Sequence, residues 1–244
     1  MVRINKFLAQ CNLGSRRKVE EFVLQGKIKL NGSIVTDLAT EIDPQTDVVE
    51  YENKRISIAK ENIYLMLNKP AKYLVSAKDD FGRSTIFDFI PDFGVHLFAV
   101  GRLDYMSEGL LILTNDGKFA EEIMHPKHKL PKLYKVIAKG FISNTAVQKL
   151  RAGVEISDYK TKPAKVFVKS RNSNKTTLKI TISEGKKRQI RKMVEVVGSE
   201  VLELKRLQIG NLKLGKLPTG NWRFLTKNEI KGLKNYKTEF DKKL

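Results

Sequence analysis

A chain with one cysteine and three histidines has few routes to chemistry, and its most suggestive group is a carboxylate. In GRLDYMSEGLLILTNDG, residues 101–117, Asp104 and Arg102 follow one apolar run, LFAV, and precede another, LLIL. Such an acid can simply pair with Arg102 or cap a turn, but it follows a buried-looking strand and precedes a flexible-looking segment, DYMSEG, so it can also answer cations supplied elsewhere in the chain. The cations that could face it are concentrated in EGKKRQIRKMVEVVG. Ile190, Met193, Val194 and Val197 there form the core side of a helix, and Lys187, Arg188, Arg191 and Lys192 fall on the other side. Lys187–Arg191 and Arg188–Lys192 are like-charge pairs four apart, each costing a helix about 0.2–0.5 kcal/mol. A plain solvated face can carry that cost, and an anionic ligand or a buried acid would offset it. Gly185 leaves the approach to this helix open. Tyr134, in KLYKV, sits mid-strand, with Lys132 and Val136 on its face, so its burial is expected to be incomplete. Such a ring can pack in a core or stack on a base.

Other active-site kits are missing. There is no G-x-x-x-x-G-K-[ST] loop, no G-x-S-x-G elbow and no dinucleotide fingerprint. Cys11 stands alone, which excludes an internal disulfide and a thiolate zinc cluster and fits a reducing cytoplasm. His96, His125 and His128 lack the spacing and companions of a metal site, so no metal is expected. Whatever chemistry occurs must use an acid, an arginine and an aromatic ring.

The formal charge of +19 over 244 residues points to an anionic partner, nucleic acid before membrane. No apolar run approaches the roughly 20 residues needed to span a bilayer. MVRINKFLAQ lacks the apolar core of a secretory signal. With 41% hydrophobic residues the chain is able to build a packed core.

The elements that must position these groups fall into an α+β pattern without a regular βαβ rhythm. Residues 1–60 read as a small module. RINKFLAQC and RRKVEEFVLQ are helices separated by Gly14 and the capping Ser15, and KIKLNGSIV is a hairpin turning at Asn31-Gly32. VVEYENKRISI is another pair of short strands. AKEN, residues 59–62, reads as a polar linker. Residues 61–230 form a larger domain. IYLMLNKP, LFAVGRLD, GLLILTNDG, KLYKVIAKG, AKVFVKS, TTLKITISEG and LELKRLQIG are its strands, interleaved with helices at TIFDFIP, FAEEIMH, TAVQKLRAG and KKRQIRKMVEVVG. SEG, residues 107–109, is read as a loop, and residues 231–244 as a charged tail.

Two resemblances sharpen this outline. SRRK opening a second helix, followed by GKIKLNG, resembles the RNA-binding module shared by a small-subunit ribosomal protein and several RNA enzymes, over about residues 2–50. It implies RNA contacts from Arg3, Lys6, Arg16, Arg17 and Lys27. GRLDYMSEGLLILTNDG, KLYKV and EGKKRQIRKM, in that order, resemble the motifs of the bacterial rRNA pseudouridine synthases of the RsuA/RluB branch, over about residues 2–228. The closing GNLKLGKLPTGNWRFLT is similar to the large-subunit members.

This resemblance implies a largely antiparallel mixed sheet and isomerisation of a uridine, flipped out of rRNA because its glycosidic bond is unreachable within a stack. Asp104 would be the catalytic carboxylate, attacking the anomeric carbon or abstracting a proton. Arg191 would pair with Asp104, favouring its charged form. Tyr134 would stack on the base, with Ile190 nearby. Arg102, Lys186, Lys187, Arg188 and Lys192 would contact the RNA. The implied partner is rRNA, by the closing segment the 23S rRNA of the large subunit, or an assembling ribosomal subunit, met by a monomer without a cofactor. One departure is Lys72 in KPAKYLVS, where the family often has glycine.

Two other readings remain at this stage. A ribosome-assembly factor would use the basic surface without catalysis. A glycosidic hydrolase would need two carboxylates, with Glu108 as the second.

Overall fold

The computed structural model describes residues 1–58, 61–77, 79–125, 130–157 and 159–236. His128, part of the expected linker and the end of the charged tail lie outside them. The chain divides into two compact units. One comprises Met1–Ile63, Asp92–Phe98 and Thr114–Gly117; the other holds Tyr64–Pro91, Ala99–Leu113 and Lys118–Leu244.

In the first unit, helices Ile4–Gln10 and Arg16–Leu24 form as the apolar spacing dictates, and the Ser15 hydroxyl accepts from Lys18 N at 3.2 Å to cap the second. Ile4, Phe7, Leu8, Val19 and Val23 pack with Ile28, Ile42 and Val49 of the short strands. Asn31 and Gly32 have φ of 51° and 84°, the paired left-handed geometry of a primed turn, and Ile28–Leu30 pairs antiparallel with Ser33–Val35. Val49–Tyr51 completes the sheet with Lys54–Arg55. Phe22 is half-buried against Tyr51, ring centroids 5.0 Å apart, rather than sunk in the core beside Val19 and Val23. Around the expected linker the chain is tied down. Asn115 accepts from Ile63 N at 2.8 Å and donates to the Glu61 carbonyl at 3.1 Å, while Thr114 Oγ1 donates to the Ile63 carbonyl at 2.6 Å.

The second unit is built on a nine-stranded sheet. Its main path runs Lys165–Arg171, Lys175–Ile182, Lys132–Lys139, Val201–Ile209, Ser107–Thr114, Tyr64–Lys69, Trp222–Phe224. Lys132–Lys139 pairs antiparallel with both Lys175–Ile182 and Val201–Ile209, whereas Val201–Ile209 meets Ser107–Thr114 in parallel. The sheet is therefore mixed and largely antiparallel, within an α+β fold.

Three local expectations change. SEG is strand rather than loop, because Ser107–Gly109 forms the parallel pairing with Leu204–Arg206. Gly109 makes this possible: its φ is 103°, and a Cβ there would overlap the Arg206 carbonyl oxygen. The cationic helix starts late, at Gln189, with Arg188 as its N-cap at φ 54°. Lys186, Lys187 and Arg188 thus precede the helix, and the expected like-charge pairs do not stack along it. Finally, the helix Lys227–Lys234 runs into the segment read as a tail, burying Leu233 behind a Thr226–Glu229 capping box.

Candidate active site

A cavity of about 770 Å³ opens in the second unit. Pockets of roughly 300–1,000 Å³ hold small ligands, so an extruded nucleotide fits. Its lining includes Asp104, Tyr134, Ile190, Lys186, Lys187 and Arg188, groups that lie far apart in sequence. Arg102 lines it as well, whereas Arg191 and Lys192 do not. Lys192 donates instead to Ser157 Oγ at 2.6 Å. In the first unit Arg3, Arg16, Arg17 and Lys27 are exposed and Lys6 is half-buried; Lys27 meets Glu52 at 3.5 Å.

Asp104 stands in the turn between Phe98–Val100 and Ser107–Thr114, closed by Ser107 N donating to the Asp104 carbonyl at 2.9 Å. The backbone of this turn is gripped by three cations. Lys69 Nζ donates to the carbonyls of Ser107 at 2.9 Å and of Asp104 and Tyr105 at 3.4 Å, as well as Pro70 at 2.9 Å. Arg191 donates to Met106 at 3.1 Å and anchors itself on Val201 at 3.0 Å. Arg206 reaches the Arg102 carbonyl at 3.4 Å. The half-buried Asp104 is left without an ion pair to Arg191, contrary to the expected pairing. Nη1 and Nη2 of Arg191 are taken by two carbonyls, its buried Nε has no partner among the described residues, and the acid and the guanidinium interact through space. Burial and Arg188 push Arg191 below its ordinary value, while Asp104 and Glu200 push it up.

Tyr134 is 7% exposed, more buried than its lysine neighbour suggested. Lys132 does not open that face. It is itself half-buried, its Nζ donating to the Leu130 carbonyl at 3.1 Å. Burial and Arg206 push its amine down to about 8. Ile190 is buried beneath the rim. The rim segment is ordered by Gln189, which accepts from Lys186 N at 3.1 Å and donates to Glu184 at 2.6 Å.

Sequence reasoning missed Lys69, Lys132 and Arg206. The signal was available: each cation alternates with apolar residues on one side of its strand, Leu65 and Leu67 before Lys69, Tyr134 and Val136 after Lys132, Leu204 before Arg206, where an unpaired charge is costly. Lys72 holds a backbone geometry that a glycine would adopt freely. Its φ is 66°, the left-handed region that favours glycine, and its N–H donates to the Tyr105 carbonyl at 2.7 Å.

The hydrolase reading loses its second acid. Glu108 faces Lys205 at 3.7 Å and does not line the cavity, where Asp104 is the only carboxylate among the described residues.

Comparison with known proteins agrees with this geometry. Residues 63–196 match the family described as RNA pseudouridylate synthase, and residues 2–48 match the S4 domain. The chain is 39% identical to ribosomal large subunit pseudouridine synthase B of Bacillus subtilis, covering 96% of each chain. It is 40% identical to an RNA pseudouridine synthase of Aquifex aeolicus, covering 94% of this chain and 92% of that one. A crystal structure of a pseudouridylate synthase superposes with a TM-score of 0.70 at 30% identity, covering 96% of this chain and all of that one. With its acid, ring and cationic rim gathered at one cavity and its relatives matched nearly end to end, this chain belongs to the RNA pseudouridine synthase family.

Proposed function

We propose that this enzyme isomerises one specific uridine of ribosomal RNA, in the large subunit, with Asp104 as the catalytic carboxylate. The observation that carries this reading is the presentation of Asp104: its turn is held by the backbone while its side chain remains uncommitted beside a nucleotide-sized cavity. The similarity to the Bacillus subtilis large-subunit enzyme supports the choice of RNA. The closing GNLKLGKLPTGNWRFLT supports it too.

In this mechanism residues 1–60 grip the RNA through Arg3, Lys6, Arg16, Arg17 and Lys27, and residues 61–230 perform the chemistry. Lys186, Lys187 and Arg188 at the rim, with Arg102, hold phosphates around the flipped nucleotide. Tyr134 stacks on the uracil and Ile190 packs beside it. Asp104 either bonds to C1′ or removes a proton from the ribose as the glycosidic bond breaks. The uracil turns, and its C5 bonds to C1′ as the Asp104–C1′ bond breaks or as Asp104 returns the ribose proton. Arg191 acts by positioning the turn of Asp104 rather than by a direct ion pair. Protein acting on free rRNA or on an assembling subunit would use the same site.

The test is Asp104→Asn, which keeps the shape and removes the ionisable acid. Unmodified rRNA incubated with the native protein should gain pseudouridine at one large-subunit position. The variant should bind that RNA with similar affinity and form none. Retained turnover in the variant would refute the role of Asp104, and modification confined to small-subunit RNA would refute the substrate.

A further inference from the structure

Two cations in the cavity wall have no part in the mechanism above. Arg206 is 3% exposed; its Nε donates to the Leu110 carbonyl at 2.7 Å, and its buried Nη2 has no hydrogen-bond partner. Tyr134 stands directly across from Arg206 in the antiparallel register, so the two side chains leave the same face of the sheet. Lys132, two residues before Tyr134, shares that face and lines the same cavity. Its ammonium is donated once, to Leu130, of the three bonds it is able to make. Among the described residues neither cation is ion-paired with a carboxylate. Although Lys132 is pushed down to about 8, it is still an ammonium at neutral pH. Two like charges, largely withdrawn from water and lacking a counterion, are an expensive arrangement unless negative charge enters the cavity.

The isomerisation creates such a charge. When the C1′–N1 bond breaks, both electrons stay with the base, whether Asp104 bonds to C1′ or a ribose proton is lost. The detached uracil is an anion delocalised over N1, O2 and O4. C5 then bonds to C1′ as the Asp104–C1′ bond breaks or as the ribose recovers the proton it lost, C5 loses its proton and N1 gains one, so product and substrate have the same atoms. Between those two bonds the free base carries its charge and must turn without escaping.

We propose that Lys132, backed by Arg206, holds a carbonyl oxygen of the detached uracil anion: Lys132 Nζ donates to the oxygen, and the Arg206 guanidinium supplies fixed positive charge behind it. Uracil O2 and O4 are only weakly negative in the intact nucleoside. The contact therefore strengthens as the glycosidic bond breaks, lowering the barrier more than it raises affinity. Tyr134, between the two, keeps the ring in the plane in which it turns. The inference rests on the proposed uridine isomerisation at Asp104.

The experiment uses the full chain and an unmodified rRNA transcript that the native protein converts. Single-turnover rate and RNA Kd are measured for the native protein, Lys132→Met and Lys132→Arg. The methionine variant should lose about 10²- to 10³-fold in rate, the scale of removing one donor to a developing anion. Its Kd should stay near the native value, and arginine should restore much of the rate. In a second arm the target uridine carries sulfur at position 2 or position 4, a poorer hydrogen-bond acceptor. One of these should slow the native enzyme, with that slowing largely absent in Lys132→Met, the mark of a direct partner. A methionine variant with native rate, a loss confined to Kd, or sulfur effects that add fully to the mutation would each overturn the proposal. If Lys132→Met fails to fold, Lys132→Gln replaces it, and native turnover unaffected by either sulfur is equally fatal. Native protein that modifies no rRNA would sink the isomerase reading itself, a different outcome from an active enzyme indifferent to Lys132.

Discussion

Arg191 donates to the carbonyl oxygen of Met106 at 3.1 Å, two residues beyond the acid it was expected to pair with. The arginine secures the position of Asp104 through the backbone and leaves the carboxylate uncommitted. Replacing Arg191 with lysine keeps the charge but removes the planar fork that spans Met106 and Val201. Arg191→Lys should therefore lower kcat by at least about tenfold, the scale of a small misplacement of a reacting group, with RNA affinity near native. A filter-binding assay beside single-turnover kinetics separates the two quantities; a pure affinity loss would contradict a positioning role.

Lys69 makes stability depend on pH in a defined direction. Burial pushes its amine down to about 8, with Glu108 and Asp104 opposing that fall. An unfolded chain holds this proton up to an ordinary lysine value of 10.5. Between these values the unfolded state binds more protons than the folded one, so this group's contribution to stability rises with pH. It is fully present above 10.5 and lost as pH falls through about 8. Urea melts of native protein and Lys69→Met across that window should show the native protein gaining relative to the variant; a constant difference would contradict the shift. At pH 7 the variant should also lose activity, because the carbonyls of Asp104, Tyr105 and Ser107 lose their donor.

Gly109→Ala tests the parallel seam of the sheet. The added methyl would meet the Arg206 carbonyl, at a backbone angle that disfavours any side chain. A loss of about 1–3 kcal/mol is expected for a residue forced into such a region, and more if the strands separate. Denaturant unfolding measures it directly, and an unchanged midpoint would refute the close approach.

Lys72 offers the opposite experiment. Lys72→Gly removes the side chain from a left-handed position and should gain up to about 1 kcal/mol, the steric cost of that region for a residue with a Cβ. The glycine's extra freedom in the unfolded chain offsets part of the gain. Thermal melts at fixed pH read the sign, and a clear destabilisation would show that the lysine side chain holds the loop.

Arg223 and Glu229 predict an acid limb. Their bidentate contact, 2.6 and 2.8 Å, together with the Thr226 cap, holds Glu229 below its ordinary value of 4.5. The stabilisation is present above 4.5 and is lost as pH falls through the lower folded value. Native protein should exceed Glu229→Gln in melting temperature near neutrality, and the gap should close as the solution is acidified below 4.5. A gap that persisted there would assign the effect to packing.

Much of the fold was legible because local chemistry and tertiary structure agree. Asn31-Gly32 turns where a turn of that type favours those residues, Ser15 caps its helix, and Gly153 ends Asn144–Ala152 at φ 90°. SEG was misread as a loop because a serine, an acid and a glycine carry no strand signal of their own. Its pairing partner lies almost a hundred residues away, and only the approach of Arg206 shows why glycine is there.

Residue types and spacing brought forward an acid, a ring and a cationic run without a cofactor kit, and the resemblance to the synthases gave them roles. Residue types and spacing also determined where most helices and strands would form, since capping, turn geometry and apolar period act over a few residues. Tertiary structure alone decided how the cations are used. Charge has no direction in a sequence, and the pairing of Arg191 with the Asp104 carboxylate came from the resemblance to the synthases. In the fold, the backbone carbonyls of that turn need donors as much as any acid does. Lys69, Arg191 and Arg206 meet that need, which is why the carboxylate faces the cavity unpaired.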